Sequence, residues 1–419
     1  MVEALPLELV LVVARFVALH EDVSILNLAK TCHTLYGPCQ KLLFSHVFVG
    51  DPRTCELLLD ALEFNLTLAA HIKELRISQE VPHYWVLNDE HLPKLLALIT
   101  SVQHFSLDNA QEYSRVDDDD MDVDTLCYWG CLSEDNQDAF MRMFSLPSLR
   151  ALTIKQLWEV PMDFFSTFGH LECLTLVNVD FLDEEGFDVA AIASRPASFR
   201  TLDISLDDEC DQLNELIQYP GSYFAKISSL IVRTYTGSTD SVIEGVTSRI
   251  MQAAAASIRH VNWIEERDEP FISHYDIPLN ALSRLERFTF NFDIRVNPHM
   301  QEEQCYAWLS GLLEVLKTPS VVAHMRYLEI RINQVAYLDF KRRLGEFPGW
   351  RQLDSLLAAR ATQVEIILGT SDLAFARMGD MLWRQMLTAR MPILNARRGI
   401  FARVAYKDDG KETYILEWS

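Results

Sequence analysis

Apolar residues recur along this chain in a fixed short spacing: one apolar position, two variable residues, a second apolar position, one variable residue, a third. The pattern is carried by Ile72, Leu75 and Ile77, by Val102, Phe105 and Leu107, by Leu149, Leu152 and Ile154, and by Leu171, Leu174 and Leu176. Further copies begin at Phe199, Ile227, Ile258, Leu285 and Met325, with a weaker one over 364–368. The alternation predicts a short, half-buried strand at each copy. Counted on the middle apolar residue, the copies fall at 75, 105, 152, 174, 202, 230, 261, 288, 328 and 366, in steps of 30, 47, 22, 28, 28, 31, 27, 40 and 38. Segments at helical spacing lie between them, for example 214–217 and 243–256. The repeating unit is strand, loop, helix.

A period near 28 lies in the range of leucine-rich repeats. Such units stack into a curved, mostly parallel sheet lined outside by helices, a quasi-one-dimensional solenoid. An ordinary α/β domain also alternates strands with helices, but nine steps sharing one strand signature favour the solenoid. The copies are divergent: the Asn that usually closes the loop after the strand is found only at Asn178. At the other end of the array, 350–360 and 373–390 carry helical spacing. The runs 401–406 and 413–418 then alternate as strands about Asp409-Gly410, a hairpin signal. The expected fold is α/β, with an irregular solenoid over 49–395 and a hairpin cap over 396–419.

The first 48 residues follow a different rule. Leu5, Leu9, Val12, Val13, Phe16 and Val17 form one helical stripe, with Pro6 suited to the first turn and Glu8 to the positive helix N-terminus. A second segment runs from Asp22 through Ile25, Leu28 and Cys32, and a third from Thr34 through Leu35, Leu42 and Phe44 to Val47. A Leu-Pro before Glu-Leu, an Asp some sixteen residues on, a leucine-rich helix ending near Cys, then Leu-Tyr and an aromatic resemble the F-box family. With the divergent array behind it, the chain is similar to a class of fungal F-box proteins. The resemblance implies a three-helix F-box over 1–48 that docks a Skp-type adaptor through Leu5, Pro6, Leu9, Ile25, Leu28, Cys32, Leu35 and Phe44. Through that adaptor it implies a cullin–RING ubiquitin ligase. Fewer than about 50 residues seldom form a stable core alone, so such a module wants a partner's surface. The alternatives are helices that merely cap the array, and a scaffolding protein that uses the same adaptor without a ligase.

Charge narrows the partners. With 37 Lys and Arg against 60 Asp and Glu, the formal charge is −23, which disfavours nucleic acid and anionic membranes. The eight cysteines (32, 39, 55, 127, 131, 173, 210 and 305) are scattered and flanked by apolar residues, as free thiols in a reducing compartment would be. The amino terminus has no basic region, and no apolar run reaches the length of a membrane span. A soluble protein of the cytoplasm or nucleus is expected.

The acidic run 117–124 falls in the longest repeat step and reads as a solvated insertion, about 111–135. As a calcium loop it fails, having Thr125 where glycine is needed and Cys131 where glutamate is. Cys127 and Cys131 lack partners at zinc spacing. Asp207, Asp208, Glu209 and Asp211 follow a strand and suit a helix cap. No phosphate loop, nucleophile elbow or zinc-protease motif occurs, so no catalytic residue, metal or cofactor is assigned and the chain reads as a non-enzyme. Alternation does nominate an outward strand face, comprising Arg76, Thr153, Lys155, Thr175, Asp203, Ser205, Arg233, Asn262, Asn291, Glu329 and Arg331. From these, Arg76, Lys155, Asp203, Arg233, Asn262, Asn291 and Arg331 are the candidate contacts to a protein substrate. The Lys and Arg among them suggest an acidic or phosphorylated peptide.

Overall fold

Within each of the two compact units of the protein, neighbouring strands pair in parallel, except for one final antiparallel pair. The computed structural model describes residues 22–31, 33–79, 85–109, 128–193, 199–205, 210–235, 240–266, 279–293, 302–317, 324–333, 345–358, 363–370, 383–397, 399–408 and 411–414. The first unit comprises Met1–Asp188 with Arg195–Phe199, and the second Val189–Ser194 with Arg200–Ser419.

In the first unit, the helices Asp22–Thr31 and His33–Leu43 pack on each other and lead into β1 (His46–Val49). The sheet continues through β2 (Glu74–Ser78), β3 (His104–Asp108), β4 (Ala151–Pro161) and β5 (Cys173–Leu182). Its register sets Val47, Leu75, Phe105, Leu152 and Leu174 side by side, and the last four are buried. The helices Pro52–Phe64, Leu92–Leu98 and Glu134–Phe144 supply buried apolar faces, among them Leu59, Leu62, Leu95, Phe140 and Phe144. Pro52 begins the first of these behind an Asp51 cap, whose carboxylate accepts from the Thr54 amide at 2.9 Å. Phe105, Phe140, Phe144, Phe164 and Phe168 form a chain of ring contacts through the core, the closest being Phe164–Phe168 at 4.7 Å.

The second unit holds β6 (Thr201–Ser205), β7 (Ser229–Tyr235), β8 (His260–Glu266), β9 (Arg287–Asp293), β10 (Tyr327–Asn333), β11 (Gln363–Thr370) and β12 (Ile400–Asp408). All pair in parallel, and β13 (Lys411–Tyr414) turns back antiparallel on β12. Helices Asp211–Gln218, Asp240–Ala253, Glu302–Lys317 and Trp350–Ala358 connect successive strands. Among the described residues, no helix is long and apolar enough to cross a membrane.

Several expectations shift in detail. The third N-terminal segment stops being helical at Leu43, and His46–Val49 is the first strand of the sheet, with Val47 one step of 28 before Leu75. The weak final copy is out by two: Leu328 pairs with Val364, and Ile366 pairs with Ile330. The hairpin's first strand is also a further parallel repeat strand, since Val364 pairs with Ile400. Helix Trp350–Ala358 falls in the expected segment, with 359–360 outside the described residues; 383–390 is helical, while 371–382 lies outside the described residues. The acidic run 117–124 also lies outside them, but the rest of the expected insertion is folded from Tyr128 on. Trp129 is buried beside Phe140, and Tyr128 bridges Trp158. Helix Asp211–Gln218 is capped by the Cys210 sulfur, which accepts from the Leu213 amide, with Asp211 in its first turn rather than at the cap.

Candidate functional site

Alternation along the strands puts one set of side chains into the core and leaves the other set in rows across the opposite face. In the first unit the middle row is Phe48, Arg76, Ser106, Thr153 and Thr175. His46, Glu74 and His104 lie in the row before it, Asp108 and Lys155 in the row after. Two expected residues meet here on a third. Lys155 Nζ lies 2.9 Å from Asp108 Oδ2, and Arg76 Nη2 lies 3.3 Å from the same oxygen. The Asp108 side chain is only 4% exposed, whereas those of Arg76 and Lys155 are 50% and 37% exposed. The Arg76 guanidinium also stands 5.5 Å from the centroid of the Phe48 ring. A cleft of about 390 Å³ opens over this group, bordered by Glu74, His104, Thr153 and Thr175 as well. Glu74 has a partner in His46 at 3.6 Å.

In the second unit, Asp203 and Arg233 are bound to each other through two hydrogen bonds. Arg287 and Arg331 both contact Glu329, at 2.6 and 3.4 Å. The Arg287 guanidinium lies 4.5 Å from the centroid of Tyr327, whose hydroxyl donates to Glu365. Burial first, and the Glu365 carboxylate second, hold the Tyr327 phenol above its ordinary pKa. Asn333 donates to Asn291 at 2.8 Å. A Cβ on Gly369 in β11 would fall 2.7 Å from the Asn333 side-chain oxygen, so glycine makes room for that amide. The Asn262 side-chain oxygen is buried with no hydrogen-bond partner.

Comparison with protein-family models and with curated proteins returns no match. What the sites can do therefore rests on their geometry.

Several residues of the expected substrate strip are thus joined in local ion pairs and amide pairs. Asp203, Ser205 and Glu329, counted as outward, are buried. Neighbouring strands of a sheet generally lie about 4.7 to 4.9 Å apart, close enough for a side chain on one to satisfy its neighbour. Sequence reasoning missed Asp108, although counting three from Phe105 finds it just as counting three from Leu152 finds Lys155. It missed Glu365 because the final marker was out by two.

Of the expected adaptor contacts, Ile25 and Leu35 are buried with Ala29 and Cys39, with Leu28 packed against them. They support the helix pair from inside. Phe44 is half-buried just past the second helix. Leu26 and Tyr36 are large hydrophobic side chains of the pair that are exposed. Leu5, Pro6, Leu9 and Cys32 lie outside the described residues. Among the described residues, no group of three His, Cys, Asp or Glu could hold a metal ion.

Proposed function

We propose that this chain is the substrate-recognition subunit of a Skp–cullin–F-box type ubiquitin ligase, working in the cytoplasm or nucleus. Its N-terminal helices dock the adaptor, and its strand face holds a protein substrate. The protein itself performs no bond chemistry. It raises the local concentration of substrate lysines at the ubiquitin-charged enzyme. One observation carries the reading: the helix pair that resembles an F-box runs without a linker into the first strand of the repeat sheet. The Ser45 carbonyl between them accepts from the Lys73 and Glu74 amides at 3.0 and 2.9 Å. A docking module joined this way holds a substrate at a fixed distance from the adaptor.

Affinity purification from proteasome-inhibited cells tests it. A Skp-type adaptor and a cullin should co-purify with the wild-type chain and be lost with the Leu5→Ala, Pro6→Ala double variant. Adaptor without cullin would make the protein a scaffold, and absence of both would overturn the proposal.

A further inference from the structure

We infer that the edge of the second unit where strands β6 to β10 begin is a docking surface for an extended acidic protein segment carrying a carboxylate at every third residue. This edge lies apart from the strand face, and its role does not depend on the ligase reading above.

The residues just before these strands form one row: Arg200, Ser228, Arg259, Glu286 and Arg326. The carbonyl of each accepts from the amide of the next, at 2.8 to 2.9 Å. Lys226 and Arg284 stand two residues before Ser228 and Glu286, and all five cations are exposed. Arg259 meets Glu286 at 3.6 Å. Arg200, Lys226, Arg284 and Arg326 pair with no carboxylate among the described residues. Just inside the row, Arg287 and Arg331 are balanced by Glu329 and Glu365, and Lys317 at the end of the preceding helix is held by Glu314. A positive rim therefore runs along one edge of a chain whose formal charge is −23. It does not serve the helix ends: helices Asp211–Gln218 and Asp240–Ala253 carry no basic residue in the last turn, where the macrodipole acts.

Spacing selects the occupant. Arg200, Arg259 and Arg326 precede alternate strands, so with strands about 4.7 to 4.9 Å apart these cations recur about every 9.5 Å. A polyproline II chain, with three residues per turn and a rise of about 3.1 Å each, returns a side chain to one face about every 9.3 Å. A carboxylate at every third residue would then meet each arginine in turn. Duplex nucleic acid carries about one charge per 1.7 Å, so most of its phosphates would find no cation here. The described residues of this unit expose no aromatic ring on which a single strand could stack.

Fluorescence anisotropy with the full chain compares labelled Glu-Pro-Pro-Glu-Pro-Pro-Glu with Gln-Pro-Pro-Gln-Pro-Pro-Gln and with the permuted Glu-Glu-Glu-Pro-Pro-Pro-Pro. At low salt the first should bind about tenfold more tightly than the second, since exposed ion pairs are individually weak and three act together. It should also outbind the permuted peptide. Its advantage should fade in about 1 M salt, where charges are screened beyond roughly 3 Å. The double variant Arg200→Gln, Arg326→Gln should lose the advantage. Arg150→Gln, in the first unit and paired with Glu172, should keep it. Glu286→Gln removes the carboxylate of the row and should raise affinity, a gain that a merely structural row would not give. Equal binding of the Glu and Gln peptides by the wild-type chain overturns the inference, whatever the variants do. So does equal binding of the permuted peptide, a folded double variant that keeps the advantage, or tighter binding of oligothymidylate or phosphatidylserine vesicles than of the Glu peptide.

Discussion

Arg233 grips Asp203 at two points, Nε to Oδ1 at 2.8 Å and Nη2 to Oδ2 at 2.9 Å, across the adjacent strands β7 and β6. The residues are 30 apart in the chain, so the pair ties one repeat to the next. The Asp203 side chain is 9% exposed. A carboxylate this deep is tolerated because it is paired in a geometry that fits both groups.

Breaking the pair from one side should therefore cost more than removing it. Arg233→Ala should destabilise the second unit by about 2 kcal/mol, since it strands the Asp203 charge, and lower Tm by about 4 to 8 °C for a unit of this size. The double variant Arg233→Met, Asp203→Leu should recover most of that loss. Calorimetry of the three chains decides it, and equal loss in single and double variants would contradict the account.

A second carboxylate acts at longer range. Asp354, buried in helix Trp350–Ala358, accepts from the Ile393 amide at 3.0 Å and the Leu394 amide at 2.8 Å, at the start of helix Pro392–Ala396. Asp354→Ala should cost about 2 kcal/mol, because two helix-end donors lose their partner. Hydrogen exchange should rise first at Ile393 and Leu394. Unchanged exchange there would sink the assignment.

Acid should unmask the Asp51 cap. The Thr54 hydroxyl and then its amide hold the Asp51 carboxyl below its ordinary value of 3.8. A depressed folded pKa gives stability that is present above 3.8 and lost as pH falls through the lower folded value. Asp51→Ala should lower stability by about 1 kcal/mol at pH 7, and its Tm should approach that of wild type as pH falls from 3.8 through the lower folded value. Parallel Tm curves across that range would refute the cap's contribution.

Thiol reactivity should separate two cysteines. Burial, reinforced by the Asp89 carboxylate, pushes the Cys55 thiol up to about 12, while Cys131 is exposed. Iodoacetamide at pH 8 should label Cys131 rapidly and leave Cys55 unmodified until the protein unfolds, as read by peptide mass mapping. Early labelling of Cys55 would show that its helix opens readily.

The sheet was legible because its core row is local. Leu75, Phe105, Leu152 and Leu174 each sit inside a six-residue signature, and pairing aligned them as counted. The strand at Val47 was not legible, since four residues wedged behind a helix carry no such signature. Nor were the amides that follow the strands. Gln79 and Asn109 occupy the place after β2 and β3 that Gln156 and Asn178 hold in the longer strands β4 and β5. Only Asn178 had been recognised, because the register that aligns the others is a property of the assembled sheet. The candidate cleft divided in the same way. Alternation found Arg76 and Lys155, but their convergence on Asp108 joins positions 32 and 47 residues away, a distance no local pattern encodes.

The antiparallel turn of β13 onto β12 bears on how the protein behaves at high concentration. A parallel strand offers evenly spaced, slanted donors and acceptors, whereas an antiparallel one offers them in alternating narrow and wide pairs. The final strand thus reverses the polarity that the seven before it share. A further strand laid on β13 in the sense of β12 would pair with it antiparallel, and so would not continue the parallel ladder.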